Sequence, residues 1–176
     1  MTQSADARLV RGTAELSFPP RKGFVTVAAD FAKAFCSEHT DDSEALARIQ
    51  LAAHELAENV VKYSAGEGCV MRVEYDPPTV PGQRGGTLSI TTENDVAPEP
   101  LQAVDRYLNQ LEQAQNPDRF YDVQIAESAK RTNGSGLGLA RIRSEALMQV
   151  SHRIRGGRLV VRVAAQLATI AKRRVS

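Results

Sequence analysis

The longest uninterrupted helical pattern in the chain covers residues 43–64, and it constrains the fold more than any other segment. Its apolar side chains recur at intervals of three and four residues, which places them on one face of a helix. They are Leu46, Ile49, Ala53, Leu56 and Val60. A helix of this kind must bury that face against a second layer of structure.

The rest of the chain supplies that second layer. Alternation of apolar and polar residues, or enrichment in residues that favour strands, predicts strands at residues 14–18, 69–75, 86–92, 150–154 and 159–163. Helical spacing predicts helices at residues 21–38 and 100–115, a short one near residues 123–129, and one at residues 137–150. Residues 40–43 provide helix caps, and Gly66 or Gly68 is the predicted C-cap of the long helix. This order predicts an α+β two-layer sandwich: a mixed, mostly antiparallel sheet with helices on one face.

Length and composition set the outer limits of this prediction. A chain of 176 residues suits one domain, predicted at residues 13–168 between a flexible leader (1–12) and a basic tail (169–176). With 42% apolar but only 5% aromatic residues, its core must consist mainly of Ala, Val, Leu and Ile. Two cysteines, Cys36 and Cys69, are expected to be small core residues. The net charge of +1 gives no general attraction to nucleic acid or to a membrane. Because no secretion signal or membrane span is recognisable, a cytoplasmic location is predicted.

Three polar residues form a second stripe on the long helix. Glu55, Asn59 and Lys62 are spaced i, i+4, i+7, so they share one face beside the apolar stripe. A carboxylate accepts protons, an amide oxygen suits Mg²⁺, and an ammonium group attracts phosphate. The alternative is an ordinary amphipathic helix in which Glu58 and Lys62 form a surface pair.

A glycine-rich segment precedes the last predicted helix. Its residues are Gly134, Ser135, Gly136, Leu137 and Gly138. Closely spaced glycines let backbone N–H groups approach an anion, and the following helix N-terminus favours negative charge. The segment does not have the GxxxxGK[ST] pattern of a P-loop. A flexible loop before a helix remains the alternative interpretation.

Together, the two segments resemble the GHKL, or Bergerat-fold, ATPase superfamily, and most of all its small stand-alone anti-sigma-factor serine/threonine kinases. The resemblance spans roughly residues 14–165. It implies that Glu55 is the catalytic base, Asn59 the Mg²⁺ ligand and Lys62 a phosphate-side residue. Residues 134–138 would then close over the phosphates, and residues 97–133 would form the ATP lid.

The family's adenine-binding motif, Asp-x-Gly-x-Gly, is altered in this chain. The corresponding strand runs into Glu-Asn-Asp-Val-Ala-Pro at residues 93–98, which contains no glycine. Asn94 takes the position of the family's Asp, and Asp95 is the neighbouring candidate for contact with adenine. Val96, in place of the first glycine, is expected to push a side chain toward the base. A plain strand end with turn residues is the alternative.

The resemblance implies a bacterial ATP-binding regulatory protein in signal transduction, with ATP and Mg²⁺ as cofactors. It would phosphorylate serine or threonine on a partner, either an anti-sigma-antagonist-like domain or a sigma factor. Since small relatives often dimerise, a homodimer is a further expectation. The altered adenine motif supports a second hypothesis, a non-catalytic partner-binding module with a degenerate nucleotide site.

Overall fold

A computed structural model describes residues 10–79, 85–128 and 137–167 of the chain. Within these ranges the strands are β1 (Gly12–Phe18), β2 (Ser64–Asp76), β3 (Thr87–Val96), β4 (Gln149–Arg155) and β5 (Arg158–Gln166). The helices are α1 (Gly23–Ser37), α2 (Ser43–Tyr63), α3 (Pro98–Gln113), α4 (Pro117–Ser128) and α5 (Gly138–Ser144). Most of the predicted leader, residues 134–136 and the basic tail lie outside the described residues.

The five strands form one open sheet in the order β1-β2-β3-β5-β4. Every described strand pairing is antiparallel, whereas the sequence predicted a mixed, mostly antiparallel sheet. Side chains alternate between the two faces: Val73, Ile90 and Val163 are fully buried, while Arg72 and Arg162 are exposed. The buried face packs against the helices, so the predicted α+β two-layer sandwich is confirmed.

Small side chains let α1 and α2 pack closely together. Their buried alanines are Ala28, Ala29, Ala32, Ala45, Ala52, Ala53 and Ala57, none more than 3% exposed. This agrees with the aromatic-poor core expected from the composition. Cys36 and Cys69 are buried as predicted, and burial raises the pKa of the Cys36 thiol to about 12. None of the described helices is long and apolar enough to cross a bilayer.

The two ends of α2 show where sequence signals succeeded and failed. Asp42 caps its start, accepting hydrogen bonds from the N–H groups of Glu44 and Ala45 at 2.9 Å each. The predicted C-cap at Gly66 or Gly68 is wrong, because Ser64 already adopts an extended conformation and begins β2. The two glycines lie where β2 shifts register against β3, so strand pairing determines their conformation.

Three further boundaries differ from the sequence prediction. Helix α3 begins at Pro98, ahead of the predicted start at residue 100, and α4 begins at Pro117, ahead of the short helix predicted near residues 123–129. Helix α5 ends at Ser144 instead of continuing to residue 150. Leu147 has a φ of 58°, which turns the chain out of the helix and into β4. Ala146 and Met148 are buried in this turn, which explains why the apolar pattern resembled a longer helix.

A steric test of the sheet concerns Gly86, which precedes β3. A Cβ at this position would collide with the Asp76 carbonyl oxygen and lie 2.6 Å from Cε2 of Tyr75. We expect Gly86→Ala to lower the free energy of unfolding by about 1–3 kcal/mol, measured by chemical denaturation. Gly68→Ala is the matched control, since nothing lies within 4 Å of its Cβ. Equal effects of the two substitutions would contradict the close approach at Gly86.

Candidate functional site

A cavity lies between α2, the buried face of the sheet and α3. It has a volume of about 220 Å³ and mainly apolar walls, among them Leu56, Val104 and Leu159. Six side chains with amide or hydroxyl groups also line it: Asn59, Tyr63, Thr92, Asn94, Tyr107 and Gln124. An apolar cavity with a few polar groups is the usual form of a site for a small molecule.

The pleat of β3 separates the two candidates for adenine contact. Asn94 points to the buried face, is 3% exposed and lines the cavity. Asp95 points to the opposite face of the sheet, where Oδ1 pairs with Nε of Arg158 at 3.1 Å. Val96 is buried in the core but does not line the cavity, so the expected intrusion of its side chain is not seen. The geometry therefore favours Asn94.

The residues of the polar stripe on α2 also differ in whether they line the cavity. Asn59 lines the cavity, and its Nδ2 donates to the backbone oxygen of Glu55 at 2.8 Å. That bond uses the amide nitrogen and not the side-chain oxygen, which is the atom a cation needs. Lys62 is exposed, and its ammonium group lies 5.0 Å from the centre of the Tyr63 ring. Lys62 therefore does not face the cavity.

Glu55 lies against the end of the glycine segment. Its side chain is 8% exposed, and Oε1 accepts a hydrogen bond from Nη1 of Arg141 at 2.7 Å. A Cβ built on Gly138 would collide with Oε2 of Glu55, so a larger residue at the start of α5 would require that carboxylate to shift. Leu137 is the residue before this helix. Gly134, Ser135 and Gly136 lie outside the described residues, so their predicted role stays a prediction.

The electrostatics of Glu55 depend on Arg141, a residue that the sequence analysis did not identify. Burial raises the pKa of Glu55, and the nearby Arg141 charge partly opposes this change. The Arg141 guanidinium also contacts Glu145, and Glu145 is hydrogen-bonded to Tyr121 of α4. One set of polar contacts thus links α2, α5 and α4. Arg141 lies one helical turn after Gly138, and this spacing was the available signal.

Further polar contacts fasten α5 to the other helices around the cavity. Ser144 donates a hydrogen bond to Asp118 of α4 at 2.6 Å, and Arg143 donates one to the backbone oxygen of Leu111 in α3. Both helices contribute to the cavity wall, through residues such as Val104 and Gln124. The wall is therefore attached to the helix that carries Arg141.

A buried histidine attaches α3 to the sheet edge. His152 of β4 is 6% exposed, and its two ring nitrogens contact Asp105, at 2.9 Å, and Glu112. With both nitrogens facing carboxylates, the imidazole is held in its protonated form. Burial alone would lower the pKa of His152, but the bonds to the two carboxylates outweigh burial and raise it.

This fold is similar to folds among the solved structures. A chain of the SiaB–SiaC complex from Pseudomonas aeruginosa matches with a TM-score of 0.54 and 13% identity, over 91% of each chain. At this identity the likeness shows a shared fold and no more. No protein-family model matches the chain, and no curated protein matches it. Membership of the GHKL superfamily stays a prediction.

The Glu55–Arg141 pair is testable by a double-mutant cycle with Glu55→Gln and Arg141→Gln. Because Arg141 is 37% exposed, solvent weakens the pair, and we expect a coupling of about 1 kcal/mol in the free energy of unfolding. The control cycle replaces Arg141→Gln with Arg143→Gln, which removes the same charge elsewhere on α5. Its two effects should add within about 0.5 kcal/mol. Equal coupling in both cycles would argue against a specific pair.

The His152 contacts predict a pH dependence of stability. The folded pKa lies above the ordinary value, so the stabilisation is complete below that ordinary value. It is lost as the pH rises through the raised pKa. We expect thermal unfolding to show this loss in wild type and a flatter profile in His152→Gln. The control is His54→Gln, which replaces an imidazole that is 43% exposed; equally flattened profiles in the two variants would contradict the role of His152.

Proposed function

We propose that this protein is an ATP-binding regulatory protein that acts on a protein partner as a serine/threonine kinase. The observation that carries the proposal is the meeting of three sequence-distant elements. Asn59 and Asn94 line one cavity, and Glu55, one turn before Asn59 on α2, lies against Gly138 and Arg141. Apart from Arg141, these residues come from the helix, the strand end and the glycine segment on which the resemblance rests.

The cavity suits the base of a nucleotide. Its volume of about 220 Å³ is below the range of roughly 300–1,000 Å³ usual for complete small-molecule sites. Its apolar walls fit a planar ring, and the amide of Asn94 and the hydroxyl of Thr92 offer hydrogen bonds to the edge of that ring. Ribose and phosphates would extend beyond the cavity.

The polar side of the site fits Mg²⁺ and phosphate. The Asn59 oxygen is a hard ligand of the kind that Mg²⁺ prefers. The predicted loop of residues 134–138 would bring backbone N–H groups to the phosphates. Lys62 and Asp95 are not assigned such roles, because their side chains lie away from the cavity. Bound Mg²⁺-ATP would supply the phosphoryl group that is transferred.

Glu55 would accept the proton of a serine or threonine hydroxyl on the partner. Burial raises the pKa of this carboxyl, which brings it nearer to the value useful for a general base. Arg141 holds one oxygen, so proton acceptance falls to the other oxygen or requires Arg141 to move away. As in phosphoryl transfer generally, most of the catalysis would be positioning and charge neutralisation.

A partner protein is supported by the similar solved structure, in which SiaB is bound to SiaC. For this chain we propose an anti-sigma-antagonist-like domain or a sigma factor, and an intracellular signalling role. A non-catalytic partner-binding module is the second candidate. The observation that favours it is the capping of Glu55 by Arg141 and Gly138, which leaves the carboxyl 8% exposed.

Calorimetry with Mg²⁺-ATP tests nucleotide binding. We expect wild type to bind with an affinity on the order of micromolar, and Asn59→Ala and Asn94→Ala to weaken binding about tenfold or more. Asn109→Ala is the control for Asn59, because Asn109 makes the same bond to a backbone oxygen four residues earlier. Asp95→Ala is the control for Asn94. Absence of binding in wild type would refute ATP as the ligand.

Transfer of labelled phosphate from ATP to a candidate partner separates the two candidate functions. A kinase transfers label in wild type and loses transfer in Glu55→Gln while ATP binding remains. Binding without transfer to any candidate partner favours the non-catalytic module.

A further inference from the structure

On the outer face of the sheet, opposite the helices, most acidic and basic side chains lie in different regions. Its acidic residues all lie on β1, β2 and β3: Glu15, Glu74, Asp76, Glu93 and Asp95. Four of its five arginines lie on β4 and β5: Arg153, Arg155, Arg158 and Arg162. The fifth, Arg72, lies on β2. A chain with a net charge of +1 thus presents one strongly basic half-face.

Ion pairs use some of these arginines and leave others available. Arg72 pairs with Glu15 at 2.6 Å, and Arg158 pairs with Glu93 at 2.8 Å. Within residues 10–79, 85–128 and 137–167, no ion pair involves Arg153, Arg155 or Arg162. These three exposed side chains are called the basic patch below.

Strand register places two arginines of the basic patch, Arg153 and Arg162, beside a shallow depression. Arg162 lies opposite Ser151 on β4 and Thr91 on β3, and Arg153 lies opposite Val160. The depression measures about 340 Å³, and these five residues all contribute to its lining. Arg153 and Arg162 are thus diagonal neighbours, with the shorter side chains of Ser151 and Val160 beside them. Arg72 and Glu74 of β2 also line the depression, which is open enough for an extended segment along the strands.

We infer that the basic patch binds an acidic segment of the partner protein. The argument is charge complementarity, since guanidinium groups bind carboxylates through paired hydrogen bonds. Charged side chains on an edge strand also discourage strand aggregation. That explanation covers Arg153 and Arg155 on β4 but not Arg162, because β5 lies between β3 and β4.

This inference deepens the proposed regulatory function and depends on it only for the existence of a protein partner. The basic patch lies on the sheet face opposite the cavity. A partner segment bound there would leave the cavity open. Docking and nucleotide binding are therefore separate properties that can be measured independently.

The test measures fluorescence anisotropy of a labelled peptide of alternating glutamate and serine, without nucleotide. We expect wild type to bind it, more weakly as salt rises. Arg153→Glu/Arg162→Glu should lower the affinity about tenfold or more. The matched control, Arg21→Glu/Lys22→Glu, changes net charge equally at exposed positions before α1 and should lower it less than about twofold. Thermal unfolding confirms that both variants are folded.

Several outcomes would overturn the inference. One is that wild type fails to bind the peptide. Another is that the two double variants lose equal amounts of peptide affinity. Binding to phosphatidylserine vesicles that is lost in Arg153→Glu/Arg162→Glu, in place of peptide binding, would assign the basic patch to a lipid surface. Self-association lost in that variant, measured by sedimentation, would assign it to a second copy of the chain. The peptide experiment contains no ATP, so its result does not depend on whether the protein binds ATP. A failure of the proposed ATP binding is recognised in the calorimetry.

Discussion

The contact of Glu55 with Gly138 and Arg141 connects the part of the candidate site on α2 to the part on α5. Glu55 belongs to α2, whereas Gly138 and Arg141 belong to α5. A Cβ at residue 138 would displace the Glu55 carboxylate, and the ion pair compensates part of the cost of burying that carboxylate. The position of α5, and with it the end of the glycine segment, therefore depends on this contact.

Helix α2 and the sheet were predictable because their patterns of apolar residues are long and regular. The apolar stripe of α2 and the alternation of β2 and β3 match the elements observed. The shared face of Glu55 and Asn59 followed from their spacing, whereas the approach of Gly138 to Glu55 followed only from the resemblance. The choice between Asn94 and Asp95 needed the register of β3, since one residue of shift exchanges the two faces.

Other features depend on contacts between residues distant in sequence. The end of α2 looked like a glycine cap, but pairing with β3 extends the strand back to Ser64. Arg141 looked like one of several arginines, and only the fold brings it to Glu55. Likewise, His152 lies in an unremarkable strand until α3 places two carboxylates on its ring. Local patterns carry no record of such contacts.

The two faces of the sheet allow different kinds of recognition. On the covered face, apolar walls exclude water, so a few amide groups there have a large effect on which ligand binds. On the open face, charges are solvated, and single ion pairs contribute little. Affinity there requires several charges acting together, and the half-face with Arg153, Arg155 and Arg162 provides such a group. A site for a small ligand and a surface for a protein can thus occupy one sheet without competing.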